Sequence, residues 1–210
     1  MIEITNTLVD GFETAIRGMR NPMNSWDNSD SIFNGYVGIH DYIGKKDLAL
    51  MKKLSKAGND HGKFLRMITV SLDINAPLYW WKEFDTYKVG TVANSCSTMH
   101  KIHENHFERS DFSIEHLQND PEEHWMVQMD NVIASLNVAR ERFIETGHKK
   151  YWWSMIQLLP SSYNQKRTVL LNYAVLKNIY HARKEHKLDE WRDFCSWIEK
   201  LPCSEIITEC

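Results

Sequence analysis

The sequence has few cysteines and lacks several motifs that mark common enzyme sites. The four cysteines, Cys96, Cys195, Cys203 and Cys210, form no C-x-x-C pair, which predicts reduced thiols in a cytoplasmic protein. The G-x-G-x-x-G, P-loop and G-x-S-x-G patterns are also absent. The sequence therefore predicts none of the dinucleotide, triphosphate or nucleophilic-serine sites that these patterns build.

Long apolar runs, a leader-like N-terminus and a basic excess are missing as well. No stretch approaches 18 uninterrupted apolar residues, so we expect no membrane span. The first residues, MIEITNTLVDGF, show no basic region followed by an apolar one, so we expect no signal peptide. The net charge is -3, whereas proteins that grip a nucleic-acid backbone usually carry a basic excess, so nucleic acid is not an expected partner.

The chain does have an ordinary globular composition and many tryptophans. Hydrophobic residues make up 42% and charged residues 25% of its 210 residues, which predicts one domain that spans residues 1–210. Four of the eight tryptophans form adjacent pairs, Trp80 with Trp81 and Trp152 with Trp153. Such rings serve cores and subunit interfaces as well as flat ligands, and burial is the simpler interpretation of any one of them.

Alternation of apolar and polar residues predicts one clear strand. The apolar face of this strand is formed by Ile68, Val70, Leu72 and Ile74. Pro77 ends the run. The next segment, residues 78–84, fits either a second strand or a helix, because its periodicity does not decide between them.

Helical periodicity predicts two helices in the first 147 residues. Residues 46–57 carry apolar side chains at helical spacing, and Gly58 follows as a C-cap. A longer amphipathic helix begins at Trp125 and ends near Gly147. Both patterns leave one polar face for solvent, as expected for helices that cover a core.

Two further helices are predicted after a break at residues 160–162. The first is marked by four residues at helical spacing, Val169, Tyr173, Leu176 and Tyr180. Asp189 can cap the last one. The polar stretches 21–34 and 108–123 are predicted surface loops, long enough to cover a site. Together these patterns predict a helix-rich α+β domain with a small sheet.

One C-terminal stretch carries a family resemblance. Residues 158–183 read LLPSSYNQKRTVLLNYAVLKNIYHAR. They resemble the segment of the flavin-dependent thymidylate synthases that begins with Leu-Pro and continues to Asn-x-Arg-Ser-Leu-x-Asn-Phe-Leu-x-x-Arg. Four residues fall on the family's Asn, Leu, Asn and Arg without a gap: Asn172, Leu176, Asn178 and Arg183. Ala174 stands where the family has its first Arg.

The N-terminal half resembles the family more loosely, and the signature motif is degraded. The family's Arg-His-Arg-x-x-Ser-x-Asn-Glu-x-Ser-x-Arg corresponds to residues 86–101, TYKVGTVANSCSTMHK. One register matches Asn94 and Ser97 to the signature, and another matches Lys88 and Thr91. Neither register restores the Arg-His-Arg or the Asn-Glu pair, and the stretch contains no arginine.

The resemblance implies a helix-rich α+β fold with a small, mostly antiparallel sheet, assembled as a homotetramer in the cytoplasm. The family binds FAD and the pyrimidine nucleotide dUMP at subunit interfaces. Reduced flavin passes a hydride to the nucleotide, and a folate supplies the carbon. The cofactor carries this chemistry, while the protein supplies position and charge.

The resemblance also implies roles for individual residues. Asn172, Asn178 and Asn94 would contact the flavin, since an amide side chain has both donor and acceptor sites. Arg183 would bind the nucleotide and take part in catalysis through its charge. The other implied substrate-binding residues are Lys88, Thr91 and Ser97. The alternative, that these side chains only cap or cover helices, stays open.

The missing signature arginines change the expected activity. A lysine point charge does not replace a bidentate arginine, so we expect FAD binding that is weakened or lost and a methylation activity that is altered or lost. Other arginines, such as Arg17 and Arg20, are candidates to take over the missing contacts. An alternative of another class is a non-catalytic interaction protein that kept the scaffold and binds a protein partner.

A histidine triplet follows the signature region. His100, His103 and His106 are spaced by three, which places neighbours on one face of a helix, and neutral imidazoles bind zinc or iron. No cysteine pair or H-E-x-x-H pattern supports such a site. We therefore predict no metal ligands among the site residues, and a metal-binding protein that uses this triplet stays a third alternative, ranked below the other two.

Overall fold

The computed structural model describes residues 2–33, 42–119 and 124–209. Four strands within these residues form one antiparallel sheet in the order β1-β2-β4-β3. The strands are β1 (Glu3–Asp10), β2 (Thr69–Pro77), β3 (Val92–Ser95) and β4 (Asn164–Asn172). The helices are α1 (Phe12–Arg20), α2 (Lys45–Lys56), α3 (Leu78–Phe84), α4 (Trp125–Thr146), α5 (Lys149–Leu158), α6 (Tyr173–Arg183), α7 (Asp189–Ile198) and α8 (Glu205–Thr208). The predicted fold class, a helix-rich α+β protein with a small sheet, is confirmed.

Strand β2 confirms the predicted alternation. Val70, Leu72 and Ile74 are buried, while the residues between them are partly exposed. The undecided segment after Pro77 forms helix α3, which buries three aromatic side chains at helical spacing: Trp80, Trp81 and Phe84. Because Pro77 has a φ of -68° and an extended ψ, the chain leaves the strand there and turns into the helix.

The predicted helix that includes Val169 is wrong at its N-terminal end. Residues up to Asn172 form strand β4, in which Val169 and Leu171 are buried and Leu170 is exposed. The helix begins at Tyr173, because the Asn172 side-chain oxygen accepts a hydrogen bond from the backbone N–H of Val175 at 3.1 Å. This N-cap ends the strand and starts the helix.

The other predicted helices lie within one or two residues of the observed ones. The long helix α4 ends at Gly147, whose φ of +66° is the left-handed conformation expected of a C-cap glycine. Asp189 lies in the first turn of α7, and the capping position belongs to Leu188, so the predicted aspartate cap is wrong. Its carboxylate still lies at the positive end of the helix dipole.

Several elements were not predicted, and some predictions extend beyond the described residues. Strand β1 and helices α1 and α5 have no counterpart in the sequence prediction. The predicted loops 21–34 and 108–123 contain short 3-10 helices. Residue 34 of the first loop, residues 120–123 of the second and Cys210 lie outside the described residues. The three described cysteines are free thiols.

The chain divides into two compact units. Unit 1 comprises residues 1–4, 73–86 and 93–168, and its core combines α4 and α5 with the segment that precedes α4. Unit 2 comprises residues 5–72, 87–92 and 169–210. Its core includes Met51, Tyr173, Leu176, Trp191 and Phe194. That residues 1–210 act as one domain stays a prediction.

No helix in the part of the chain that the structure describes is both long enough and apolar enough to span a bilayer.

Candidate functional site

Two of the predicted cofactor-binding residues line one cleft of unit 2. Its volume is about 610 Å³, within the range of small-molecule sites. We call it the amide cleft, and it is lined by Asn59, Arg66, Val89, Gly90, Asn172, Ala174, Val175, Lys177, Asn178 and His181. Asn172 and Asn178 therefore share one cleft, and their flavin-binding role stays a prediction.

Helix α6 supplies most of the amide cleft because of its periodicity. Ala174, Lys177, Asn178 and His181 follow one another at intervals of three, one and three, which places them on one face of the helix. The opposite face of the helix is buried in the core of unit 2 and carries Tyr173, Leu176 and Ile179. Packing of the apolar face thus presents the polar face to the cleft.

Asn172 caps helix α6 and also lines the amide cleft. Its oxygen caps the helix, which leaves the amide nitrogen as a donor on the cleft side. A Cβ at Gly90 would lie 2.9 Å from that nitrogen, and Gly90 has a φ of +79°. The positive φ therefore favours glycine at position 90, where the chain passes close to the amide.

The amide cleft is cationic. Arg66 and Lys177 line it together with His181, and none of its lining residues, within the described chain, is acidic. The Lys177 ammonium donates to the Ser55 carbonyl at 2.7 Å and to the Ser55 hydroxyl at 2.9 Å. His181 Nε2 lies 2.9 Å from the Ile207 carbonyl, which can only accept, so this nitrogen carries the proton. Such a site favours an anionic ligand.

Arg183 is half-buried in aromatic packing and is not among the residues that line the amide cleft. Its Nε donates to the Tyr87 hydroxyl at 3.0 Å. The guanidinium carbon lies 4.9 Å from the centre of the Trp191 ring and 5.8 Å from that of Tyr87. This arrangement is a cation–π contact that anchors the end of α6. The nucleotide role of Arg183 stays a prediction.

The signature region is divided between the two units. Lys88 is exposed in unit 2, and Thr91, also in unit 2, has a buried hydroxyl with no hydrogen-bond partner among the described residues. Asn94 is exposed on β3 in unit 1. Their roles, and the register that aligns them with the family, stay predictions.

Ser97 lies in a second, polar cleft within unit 1, with a volume of about 240 Å³. Its hydroxyl accepts hydrogen bonds from the backbone N–H groups of Met99 at 3.2 Å and His100 at 3.0 Å, so it stabilises a turn. Burial raises the pKa of the Tyr163 hydroxyl on the same cleft, and the neighbouring Asp111 adds to the shift. Tyr163 is therefore a neutral donor at physiological pH. Ser97 and Asn172 line different clefts.

The histidine triplet does not form a cluster of ligands. The His103 ring packs edge-on against Phe143 with 5.0 Å between ring centres, and its Nδ1 is buried without a hydrogen-bond partner in the described chain. His100 and His106 are exposed. Across the described ranges, no three His, Cys, Asp or Glu side chains are placed to hold a metal ion.

Arg20 is engaged in a buried ion pair of unit 2. Its side chain is 5% exposed, that of Asp47 is fully buried, and the two are joined at 2.6 Å and 2.7 Å. Because its guanidinium is bound to Asp47, Arg20 is not available to replace the signature arginines. Arg17 is exposed and lies outside the amide cleft.

Comparison with known proteins identifies the fold. No protein-family model and no curated protein matches the sequence. Thymidylate synthase X from Helicobacter pylori, solved with FAD and dUMP, superposes with a TM-score of 0.70 over 99% of this chain and 97% of its own, at 16% identity. The chain has the fold of a flavin-dependent thymidylate synthase. A second structure of that enzyme from Helicobacter pylori, complexed with FAD and dUMP, gives the same score and identity over 99% of both chains.

The basic residues that line the amide cleft of this flavin-dependent thymidylate synthase-like fold were not predicted from the sequence. Lys177 and His181 lie one position before and three positions after Asn178, so a helical projection of α6 would have placed them on the same face. Arg66 lies more than 100 residues before Asn172 and has no comparable signal. Only the packing of its 3-10 helix (Gly62–Met67) brings it to the cleft.

Proposed function

We propose that the amide cleft binds a phosphorylated ring compound, either a flavin nucleotide or a pyrimidine nucleotide, and that the protein does not methylate dUMP. One observation carries this proposal: two amides and three basic side chains line a single cleft whose described lining contains no acid. Amides can hydrogen-bond the edge of a ring that has both donors and acceptors, while the basic groups favour phosphate. The similar Helicobacter pylori structures hold FAD and dUMP, ligands of this chemistry.

The proposal includes weak rather than tight flavin binding. Ala174 lines the amide cleft with a methyl group, whereas the family has an arginine at this position of the segment. A hydrogen bond to a charged group contributes about 1.5–3 kcal/mol, so its absence lowers affinity by about 10-fold or more. Arg66 and Lys177 compensate for only part of this loss, because neither occupies the same place on α6.

Restoring the arginine is expected to strengthen flavin binding. We expect Ala174→Arg to lower the Kd for FAD by about 10-fold or more relative to the wild-type protein, because it adds a charge-assisted contact. The measurement is a titration of FAD fluorescence. Ala182→Arg is the matched control, since Ala182 is exposed on the same helix and does not line the cleft. Wild-type protein that stays yellow through extensive dialysis would contradict weak binding.

We also expect the protein to assemble as a homotetramer. The resemblance implies this state, and helix α4 exposes Val127 and Val138, with 52% and 57% of their surface accessible, on its solvent face. Exposed apolar side chains of this kind favour burial between subunits. Light scattering at micromolar concentration should give about four times the chain mass of 24.7 kDa. A monomer mass would rule out any site shared between subunits.

The alternative of a non-catalytic interaction protein rests on a different observation. Arg183 is held between Tyr87 and Trp191, and residues 86–101 contain no arginine, so the positions where the family places its signature cations offer little charge to orient a nucleotide for chemistry. One binding measurement distinguishes ligand binding at the amide cleft from a non-catalytic interaction function. Folded protein to which neither FAD nor dUMP binds at millimolar concentration favours the interaction protein.

A further inference from the structure

Helix α2 of unit 2 presents a surface made almost entirely of lysines. Five of its 12 residues are lysines, and its one acidic residue is Asp47. Asp47 is fully buried and paired with Arg20, so its charge is neutralised inside unit 2 and does not reach the surface. The surface of α2 therefore carries positive charge alone, although the net charge of the whole chain is -3.

The helical repeat separates these lysines from the core. Asp47, Met51 and Ser55 follow one another at intervals of four and are buried on one side of α2. The opposite side consists of five exposed residues, of which all but one are lysines: Lys45, Lys46, Ala49, Lys53 and Lys56. We call these four lysines the lysine face. Because an α-helix rises by about 1.5 Å per residue, the lysine face is about 16 Å long.

The charges of the lysine face are hardly balanced within the described chain. Its four ammonium groups form no hydrogen bond and no ion pair with the described residues. Glu209 pairs at 2.6 Å with the fifth lysine of the helix, Lys52, and this hydrogen bond, with the charges of Lys52 and Lys56, lowers the pKa of the Glu209 carboxyl. Lys53 and Lys56 lie three positions apart, and like charges at such spacing on a helix repel each other. A bound polyanion would remove this repulsion.

We propose that the lysine face binds the phosphate backbone of a nucleic-acid duplex. Each strand of a duplex offers a phosphate about every 3.4 Å along the axis, so lysines spread over about 16 Å can each meet one. Lysine acts as a point charge, and phosphate contacts carry no base information, so binding does not depend on sequence. The negative net charge of the chain averages over its whole surface and does not exclude one basic face. This surface is separate from the amide cleft, because none of its four lysines lines that cleft.

Two features of α2 favour a duplex over a membrane or a single strand. A helix that binds a bilayer buries an apolar face among the lipids, but Ala49 is the only apolar residue on the solvent side of α2. The helix contains no aromatic residue, so it offers no ring on which unpaired bases could stack. Charge is therefore the means of contact, and a duplex backbone presents charge at high density.

Fluorescence anisotropy with a labelled DNA duplex of about 20 base pairs, a length well within the reach of one protein, tests the proposal. Four phosphate contacts predict that raising the salt from about 50 to about 200 mM weakens binding by about 100-fold. Replacing Lys46, Lys53 and Lys56 together by glutamate should weaken binding by at least about 10-fold in low salt. The matched control makes the same charge change at three exposed lysines outside α2: Lys82, Lys187 and Lys200.

The outcomes distinguish the lysine face from net charge and from a membrane site. Loss of duplex binding in the lysine-face variant alone supports the proposal, whereas equal loss in the control variant overturns it. No duplex binding by the wild-type protein in low salt, or binding only to vesicles of anionic phospholipid, also overturns it. If thermal unfolding shows that the triple variant is unfolded, Lys53→Gln replaces it and should reduce the salt slope by about 0.9. FAD binding should be the same in all these variants, so this test is independent of the amide cleft.

Discussion

Replacing Asp47 by asparagine is expected to lower the free energy of unfolding by about 3–5 kcal/mol, since it breaks a buried ion pair and leaves one charge uncompensated. The Asp47 oxygens accept hydrogen bonds from Arg20 Nε at 2.7 Å and from the hydroxyls of Ser29 and Ser31, each at 2.7 Å. Arg20 stays buried in the variant without a negative partner. Chemical denaturation of both proteins at pH 7 measures the difference.

The ion pair between Arg20 and Asp47 also predicts how the free energy of unfolding changes with pH. Burial raises the pKa of the Asp47 carboxyl, but the hydrogen bonds it accepts and the Arg20 charge lower it more, so it lies below the ordinary value of 3.8. A carboxyl with a lowered folded-state pKa stabilises the fold above its unfolded pKa and loses this effect as the pH falls through the folded one. The stability gap between wild type and Asp47→Asn should therefore shrink below pH 3.8.

An exposed ion pair provides the control for Asp47. Arg109 and Asp130 form a bidentate pair on the surface of unit 1, with side chains 60% and 42% exposed. Because water screens such pairs, Asp130→Asn should change the unfolding midpoint only slightly. An Asp47→Asn protein as stable as the Asp130→Asn protein would show that the buried pair does not hold helices α1 and α2 together.

No thymidylate is expected when the protein is given dUMP, FAD, reduced nicotinamide and methylene-folate. Methylation requires the nucleotide to be held against the flavin in a near-attack geometry, which misplacement by about 1 Å makes far slower. The signature region supplies few cations for this geometry: residues 86–101 contain no arginine, Lys88 is exposed, and Arg20, a candidate replacement, is buried with Asp47. Several charged contacts are missing together, each worth about 1.5–3 kcal/mol where buried.

Product formation is measured by chromatography, with a flavin-dependent thymidylate synthase assayed alongside as the positive control. If a nucleotide binds without reacting, Arg183→Ala should weaken its binding, while His103→Ala, whose ring packs on Phe143, should not. Thermal unfolding of Arg183→Ala checks that the loss does not come from the packing on Trp191. Robust thymidylate formation would refute the prediction and show that other residues replace the signature.

The local patterns predicted much of the fold, and their failures have identifiable causes. Alternation predicted β2 because one face of that strand is buried. Val169 was assigned to a helix because its spacing to Tyr173 suits a helix, although Asn172 caps the helix between them and leaves Val169 in the strand. Strand β1 was missed because most of it is exposed, so it carries no apolar alternation.

The sequence by itself determined the fold class, and its family resemblance paired Asn172 with Asn178, which line one cleft in the structure. Only the tertiary structure decided which residues join them. Arg66 and Gly90 reach the cleft from segments far away in sequence, and such meetings depend on how helices and turns pack. The tertiary structure also decided that Arg20 is buried with Asp47, 27 positions away. A buried charge is costly unless it is paired, and only the fold brings these two side chains together.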